Sequence, residues 1–141
     1  MTAEANAGLA KMLPALMADE WLHYVSAGNQ SMFLEERTLD GSPWERRERF
    51  LENSALRHFD RVKTPVLIFH GAADRRVTVD QSESAYRALA RLGKPAVLLK
   101  YRGVDHGLFD WPDGHRLDLW TRLVEWFEEH LRQVPAAPAG E

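Results

Sequence analysis

A chain of 141 residues, 45% hydrophobic and 28% charged, carries enough apolar material for one domain with one core, and too much for a disordered or fibrous protein. Eighteen basic and twenty-one acidic residues give a net charge of -3, with both signs interspersed rather than gathered into a basic stripe, which excludes an electrostatic nucleic-acid binder. The absence of cysteine removes disulfides, thiolate metal sites and cysteine nucleophiles together.

Met1 to Ser26 holds Leu9, Met12, Leu13, Leu16 and Met17 at helical spacing. Acidic Glu4 precedes them and no basic start leads an unbroken apolar run, so the segment does not read as a signal peptide. The spacing predicts one or two helices over residues 3–25, broken or kinked near Pro14, where the ring removes a backbone donor and crowds the preceding turn. No stretch approaches the roughly 20 apolar residues of a membrane-spanning helix, so a soluble chain without a membrane partner is expected.

Asp40-Gly41-Ser42-Pro43-Trp44-Glu45 has the chemistry of a helix start: Ser42 caps, Pro43 suits the first helical position and Glu45 completes a capping box. A helix from Pro43 to about Asn53 follows. Leu56, Phe59 and Val62 then anchor a connection to Thr64-Pro65, where a strand begins. Val66-Leu67-Ile68-Phe69 is a continuous apolar run of the kind buried on both faces of a parallel sheet.

From Asp80, with Glu83 as a second capping box, a helix turns Ala85, Tyr86, Leu89 and Leu92 inward and stops at Gly93. Ala96 to Tyr101 reads as a second strand, parallel to the first. After the loop Arg102 to Asp113, a long helix carries Leu117, Leu119, Trp120, Leu123, Val124, Trp126, Phe127 and Leu131. The chain is therefore α/β: mainly helical over 1–62, a parallel strand-helix-strand-helix unit over 63–133, and a flexible tail at 134–141. Two parallel strands make a poor sheet, and the helical first part offers no strand to lie beside Val66 to Phe69.

Ligands of open α/β sheets bind beyond the carboxyl ends of the strands, which directs attention to the loops after Phe69 and Tyr101. The first reads His70-Gly71-Ala72-Ala73-Asp74-Arg75-Arg76-Val77, and the second Arg102-Gly103-Val104-Asp105-His106-Gly107. Side by side, they bring Asp74 to one nitrogen of His106, two-thirds of a serine-hydrolase triad in the chain order of α/β-hydrolases. The alternative is that Asp74 only caps its turn and His106 is an ordinary loop histidine. His70, next to a glycine, reads as a packed strand-end residue rather than a ligand; His23, His58 and His130 carry no signal. Asp105, His106, Asp110, Asp113 and His115 match no established metal-ligand spacing, and no metal or cofactor is expected. Trp111, in the loop after His106, is a candidate pocket wall.

Thr64-Pro65-Val66-Leu67-Ile68-Phe69-His70-Gly71-x-x-Asp74-x-Arg76-Val77, with Gln81-Ser82, Leu89, Leu92-Gly93-Lys94 and Tyr101-x-Gly103-x-x-His106-Gly107, closely resembles the last section of prolyl oligopeptidase family serine peptidases. Gly41-Ser42-Pro43-Trp44-Glu45 and Asn53-Ser54-Ala55-Leu56 are similar to the family's segment before its penultimate strand, although Ala55 stands where the family commonly has proline. The resemblance implies a partial α/β-hydrolase fold, the two strands being the last two of a mostly parallel sheet. It also implies Asp74 as triad acid, His106 as general base and Arg76 as a contact to a substrate peptide carbonyl.

The departure from the pattern is large. None of Ser26, Ser31, Ser42, Ser54, Ser82 or Ser84 lies in a Gly-x-Ser-x-Gly nucleophile elbow. The chain alone is therefore expected to be inactive, and to act on peptides or small esters only when a serine-bearing segment completes it. Two further readings stand beside this one: part of a carboxylic ester hydrolase, or a non-catalytic remnant or interaction module that joins another sheet or its own copy through the unpaired edge of Val66 to Phe69.

Overall fold

The computed structural model describes residues 11–14, 18–27 and 29–131, with 11–14 and 29–31 described as backbone only. Its sheet is built on β2 (Val66–Gly71), all six residues of which are buried. A strand so completely covered has no polar alternation, as the apolar run predicted. It pairs in parallel with β3 (Ala96–Tyr101), Val66 opposite Ala96 and Gly71 opposite Tyr101.

On its other edge β2 pairs in parallel with β1 (Lys11–Pro14), Lys11 opposite Val66 and Pro14 opposite Phe69. This corrects the expectation of one or two helices over residues 3–25 at Lys11–Pro14, while the helix at Glu20–Ser26 agrees with it. The apolar spacing there is helical, but backbone pairing with a buried strand outweighs local propensity, and Pro14 sits at the strand's end, where a missing N–H does least harm. It also corrects the expectation that the edge of Val66 to Phe69 is unpaired, since β1 occupies it. The sheet order is β1-β2-β3. Residues 1–10, 15–17, 28 and 132–141, the last including the expected tail at 134–141, lie outside the described residues.

Side chains alternate across the sheet and make two cores. Leu67, Phe69 and Tyr101 pack with Val104, Trp111, Leu119 and Leu123 against α5 (Asp113–Leu131). Val66 and Ile68 pack with Ala85 and Leu89 of α4 (Val79–Arg91), and with Ala18 and Phe59, the latter in a 3-10 segment at Ala55–Arg61. Full burial of a side chain such as Leu89 or Leu119 contributes about 1.5–3 kcal/mol.

A helical subdomain covers one end: α1 (Glu20–Ser26), α2 (Asn29–Leu39) and α3 (Arg47–Asn53) meet around Tyr24, Leu39 and Phe50. The helix expected from Pro43 starts at Arg47. Its capping box is half made: Glu45 Oε2 accepts from both Ser42 N and Ser42 Oγ, but residues 43–46 form a turn that points Glu45 N and Arg46 N at Ser42 O. The second box does not form, because Glu83 turns instead to Lys100 on β3 and Arg87 on its own helix. α4 begins one residue earlier, after Thr78, and ends at Gly93, whose φ of +66° is the left-handed turn that glycine permits.

Candidate active site

The site forms where β2 and β3 end. A Cβ on Gly71 would lie 2.5 Å from Val104 O and 2.7 Å from Asp105 O, so only glycine allows the two loops this close. The backbones are then laced together: Ala72 N donates to Tyr101 O at 2.8 Å and Ala73 N to Val104 O at 3.0 Å. Arg75 N reaches Asp105 Oδ1 at 3.1 Å, and the same oxygen accepts from His106 N at 2.7 Å. These two donors hold the Asp105 carboxyl below the usual carboxylate range.

With the loops fixed, His106 Nδ1 donates to Asp74 Oδ2 at 2.8 Å. The Asp74 side chain is 1% exposed while the His106 side chain is 36% exposed. Asp74 Oδ1 is held in turn by Arg76 N at 2.8 Å and Val77 N at 2.9 Å, so the carboxylate cannot rotate away. A carboxylate only accepts, which puts the imidazole proton on Nδ1 and leaves the lone pair on Nε2. No group among the described residues takes up that lone pair. An imidazole so oriented can accept a proton from a nucleophile, with the buried carboxylate stabilising the resulting imidazolium.

His70 is packed at the strand end, as expected, with a defined role. Its Nε2 stands 2.8 Å from Val77 O, which can only accept, so Nε2 carries the proton and Nδ1 accepts from Ser82 Oγ at 2.5 Å. The same Nε2 is 3.3 Å from Asp74 Oδ2. His70 therefore buttresses Asp74 from the interior while His106 faces outward. Arg76 is exposed, and its guanidinium has no hydrogen bond or ion pair among the described residues.

Trp111 does not line an open pocket. It is 5% exposed, packs edge-on to Phe69 at 6.5 Å, and donates from Nε1 to Asp105 O at 2.7 Å, bracing the histidine loop from below. Its other aromatic neighbour, Tyr101, donates to Asp118, and burial raises its phenol well above the ordinary range.

Several residues to which the sequence assigned no role help to position the site. Gln81, fully buried on α4, accepts at Oε1 from Ala18 N and Asp19 N, at 2.8 and 2.9 Å, and donates from Nε2 to Asp19 O at 3.0 Å. Asp19 then caps α1 through Trp21 N and Leu22 N, and Ser54 Oγ accepts from Glu20 N. This stitching sets α1 beside the site, where it presents His23. That histidine, 4% exposed, lies 3.2 Å from Glu35 Oε1 of α2. Burial drives their acidities toward each other: the Glu35 carboxyl rises to about 7, and the His23 imidazole falls below its ordinary value. His23 also feels the charges of Asp74 and His106.

The sequence profile of the prolyl oligopeptidase family matches residues 18–134. The human acylamino-acid-releasing enzyme is 32% identical over 123 residues, covering 87% of this chain and 16% of the enzyme. The uncharacterized peptidase YuxL of Bacillus subtilis (strain 168) is 28% identical over 114 residues, 79% of this chain and 17% of that protein. Among solved structures, the acylaminoacyl peptidase of Pyrococcus horikoshii superposes with a TM-score of 0.82 at 23% identity, over 92% of this chain and 21% of its own. The chain thus spans about a sixth of the curated relatives it matches.

Proposed function

Because the chain belongs to the prolyl oligopeptidase family and has the α/β-hydrolase fold, we propose that it supplies the acid and base of a serine peptidase whose nucleophile comes from a serine-bearing segment outside these 141 residues. In this reading Asp74 fixes the tautomer of His106. His106 Nε2 takes the proton of the serine hydroxyl as its oxygen attacks a substrate carbonyl, then gives that proton to the leaving amine. An acyl-enzyme remains, and His106 activates water in the same way to release the acid. The names of two relatives point to N-acylated peptides as the substrate class. The unpaired, exposed guanidinium of Arg76 is assigned to a substrate carbonyl.

The reading rests on one observation, the 2.8 Å hydrogen bond that joins a 1% exposed Asp74 carboxylate to His106. Two others favour completion by more polypeptide. The chain has no Gly-x-Ser-x-Gly, and large apolar side chains stand exposed along one face of α5, at Leu117, Trp120 and Val124. The test is hydrolysis of N-acetyl-alanine p-nitroanilide by the chain alone and by the chain mixed with a family segment carrying the serine elbow. The expected result is no turnover alone and turnover on mixing, lowered roughly 10⁴-fold by Asp74→Asn. Turnover by the pure chain, or a mixed activity indifferent to Asp74→Asn, would overturn the assignment.

A further inference from the structure

Between α1, α2 and the end of α3 lies a cavity of ≈ 210 Å³ that this mechanism does not use; it is lined by His23, which feels the charges of Asp74 and His106. Its floor is His23, Glu35 and Leu39, all buried, and its rim includes the exposed Leu34 and Asn53. The volume is below the 300 Å³ or so of a pocket for a whole small-molecule ligand, and suits a single side chain.

The polar groups on its floor are left short of partners. Neither Glu35 oxygen makes a hydrogen bond, despite the 3.2 Å approach to His23 Nε2, and His23 Nδ1 has none either. The Glu35 side chain is 9% exposed. Glu20 adds a second carboxylate to the lining, and no lysine or arginine among the described residues lines it. A buried carboxylate without donors is costly, and the imbalance points to a donor that arrives from outside.

We infer that this cavity receives a basic side chain of the substrate, with its apolar stem along Leu34 and Leu39 and its cationic head on Glu35. A guanidinium or ammonium on a methylene stem meets both needs: the stem covers the leucines, and the head supplies donors to the orphaned oxygens. A neutral polar side chain would supply fewer donors, and an apolar one would leave Glu35 unpaired. His23 positions Glu35 from the side nearest the dyad. The location rests on the reading of Asp74 and His106 as the reacting site; the affinity for a cation does not.

The experiment is therefore a binding measurement on the full chain, independent of turnover. n-Butylguanidinium and its neutral isostere n-butylurea are titrated into the ¹⁵N-labelled protein, following the His23 and Glu35 signals by NMR. The cation is expected to bind at least ten-fold more tightly than the urea, with the largest shifts at these two residues, and Glu35→Gln is expected to abolish the preference. Equal affinities, or shifts confined to other surfaces, would overturn the inference on the wild-type chain alone, whatever the variant does. A confirmed preference without hydrolysis in the mixing assay would keep the cavity and sink the enzymatic reading; hydrolysis without the preference would do the reverse.

Discussion

Replacing Gln81 by leucine tests how α1 is held beside the site. Gln81 is fully buried, and its amide makes three hydrogen bonds to the backbone of Ala18 and Asp19. Leucine keeps the volume and loses all three. Ala18 is fully buried, so its N–H has no water to turn to, and leaving it orphaned costs about 1–3 kcal/mol. Asp19 is partly exposed, so its N–H and C=O regain water and lose only about 0.5–1.5 kcal/mol each. The added apolar burial of leucine offsets part of the total, which leaves about 2–3 kcal/mol. At a urea m value of ~1.5 kcal/mol/M, the unfolding midpoint should fall by about 1–2 M with m unchanged. Faster amide exchange at Ala18 and Asp19 should accompany it. A midpoint within about 0.3 M of wild type would show that the α1 start is held by something other than Gln81.

Glu35→Gln should change the pH dependence of stability. The folded carboxyl titrates at about 7 against 4.5 when unfolded, so the native state binds the proton more tightly, and wild-type stability falls as pH rises through that window. Glutamine removes the loss, and the stability difference, variant minus wild type, should grow between pH 4.5 and 7 and level off above. It should reach about 3 kcal/mol if the group is fully desolvated and about half that once screening at the cavity mouth is allowed for. His23, lowered by burial, tilts the wild-type curve the other way. A pH-independent difference in denaturant titrations would refute the assignment.

Gly71→Ala should cost about 1–3 kcal/mol, because the new methyl meets two carbonyl oxygens. It should also erase the low-field His106 Nδ1–H resonance; retention of that signal at wild-type position would mean the loops have slack. Leu89→Ala, at a fully buried position between β2 and the Ala55–Arg61 segment, should cost about 3–5 kcal/mol by thermal unfolding, and a loss under 1 kcal/mol would show that the site collapses freely.

The strand-helix-strand-helix unit was legible because its signals are local: an unbroken apolar run at Val66, glycine and proline stops at Gly93 and Pro95, and a long amphipathic helix to Leu131. Asp74 and His106 were legible for the same reason, each sitting in a glycine-bounded loop at a strand end. What escaped depends on partners distant in sequence. β1 is a strand only because β2 lies beside it. α2 shows no apolar stripe, since Phe33 and Leu34 are exposed while Glu35 is buried, the reverse of what periodicity looks for. Glu83 looked like a cap but answers to Lys100, and the two partners of Gln81 lie 62 and 63 residues away. His23 gave no signal because its meaning comes from Glu35 and the cavity between them.

The most direct test of the central claim is fluorophosphonate labelling of three samples: the chain alone, the serine-bearing segment alone, and the two together. The account predicts label only in the mixture, only on the segment's serine, and lost when the chain carries His106→Ala. Label on a serine of the pure chain, or labelling of the mixture that survives His106→Ala, would contradict it.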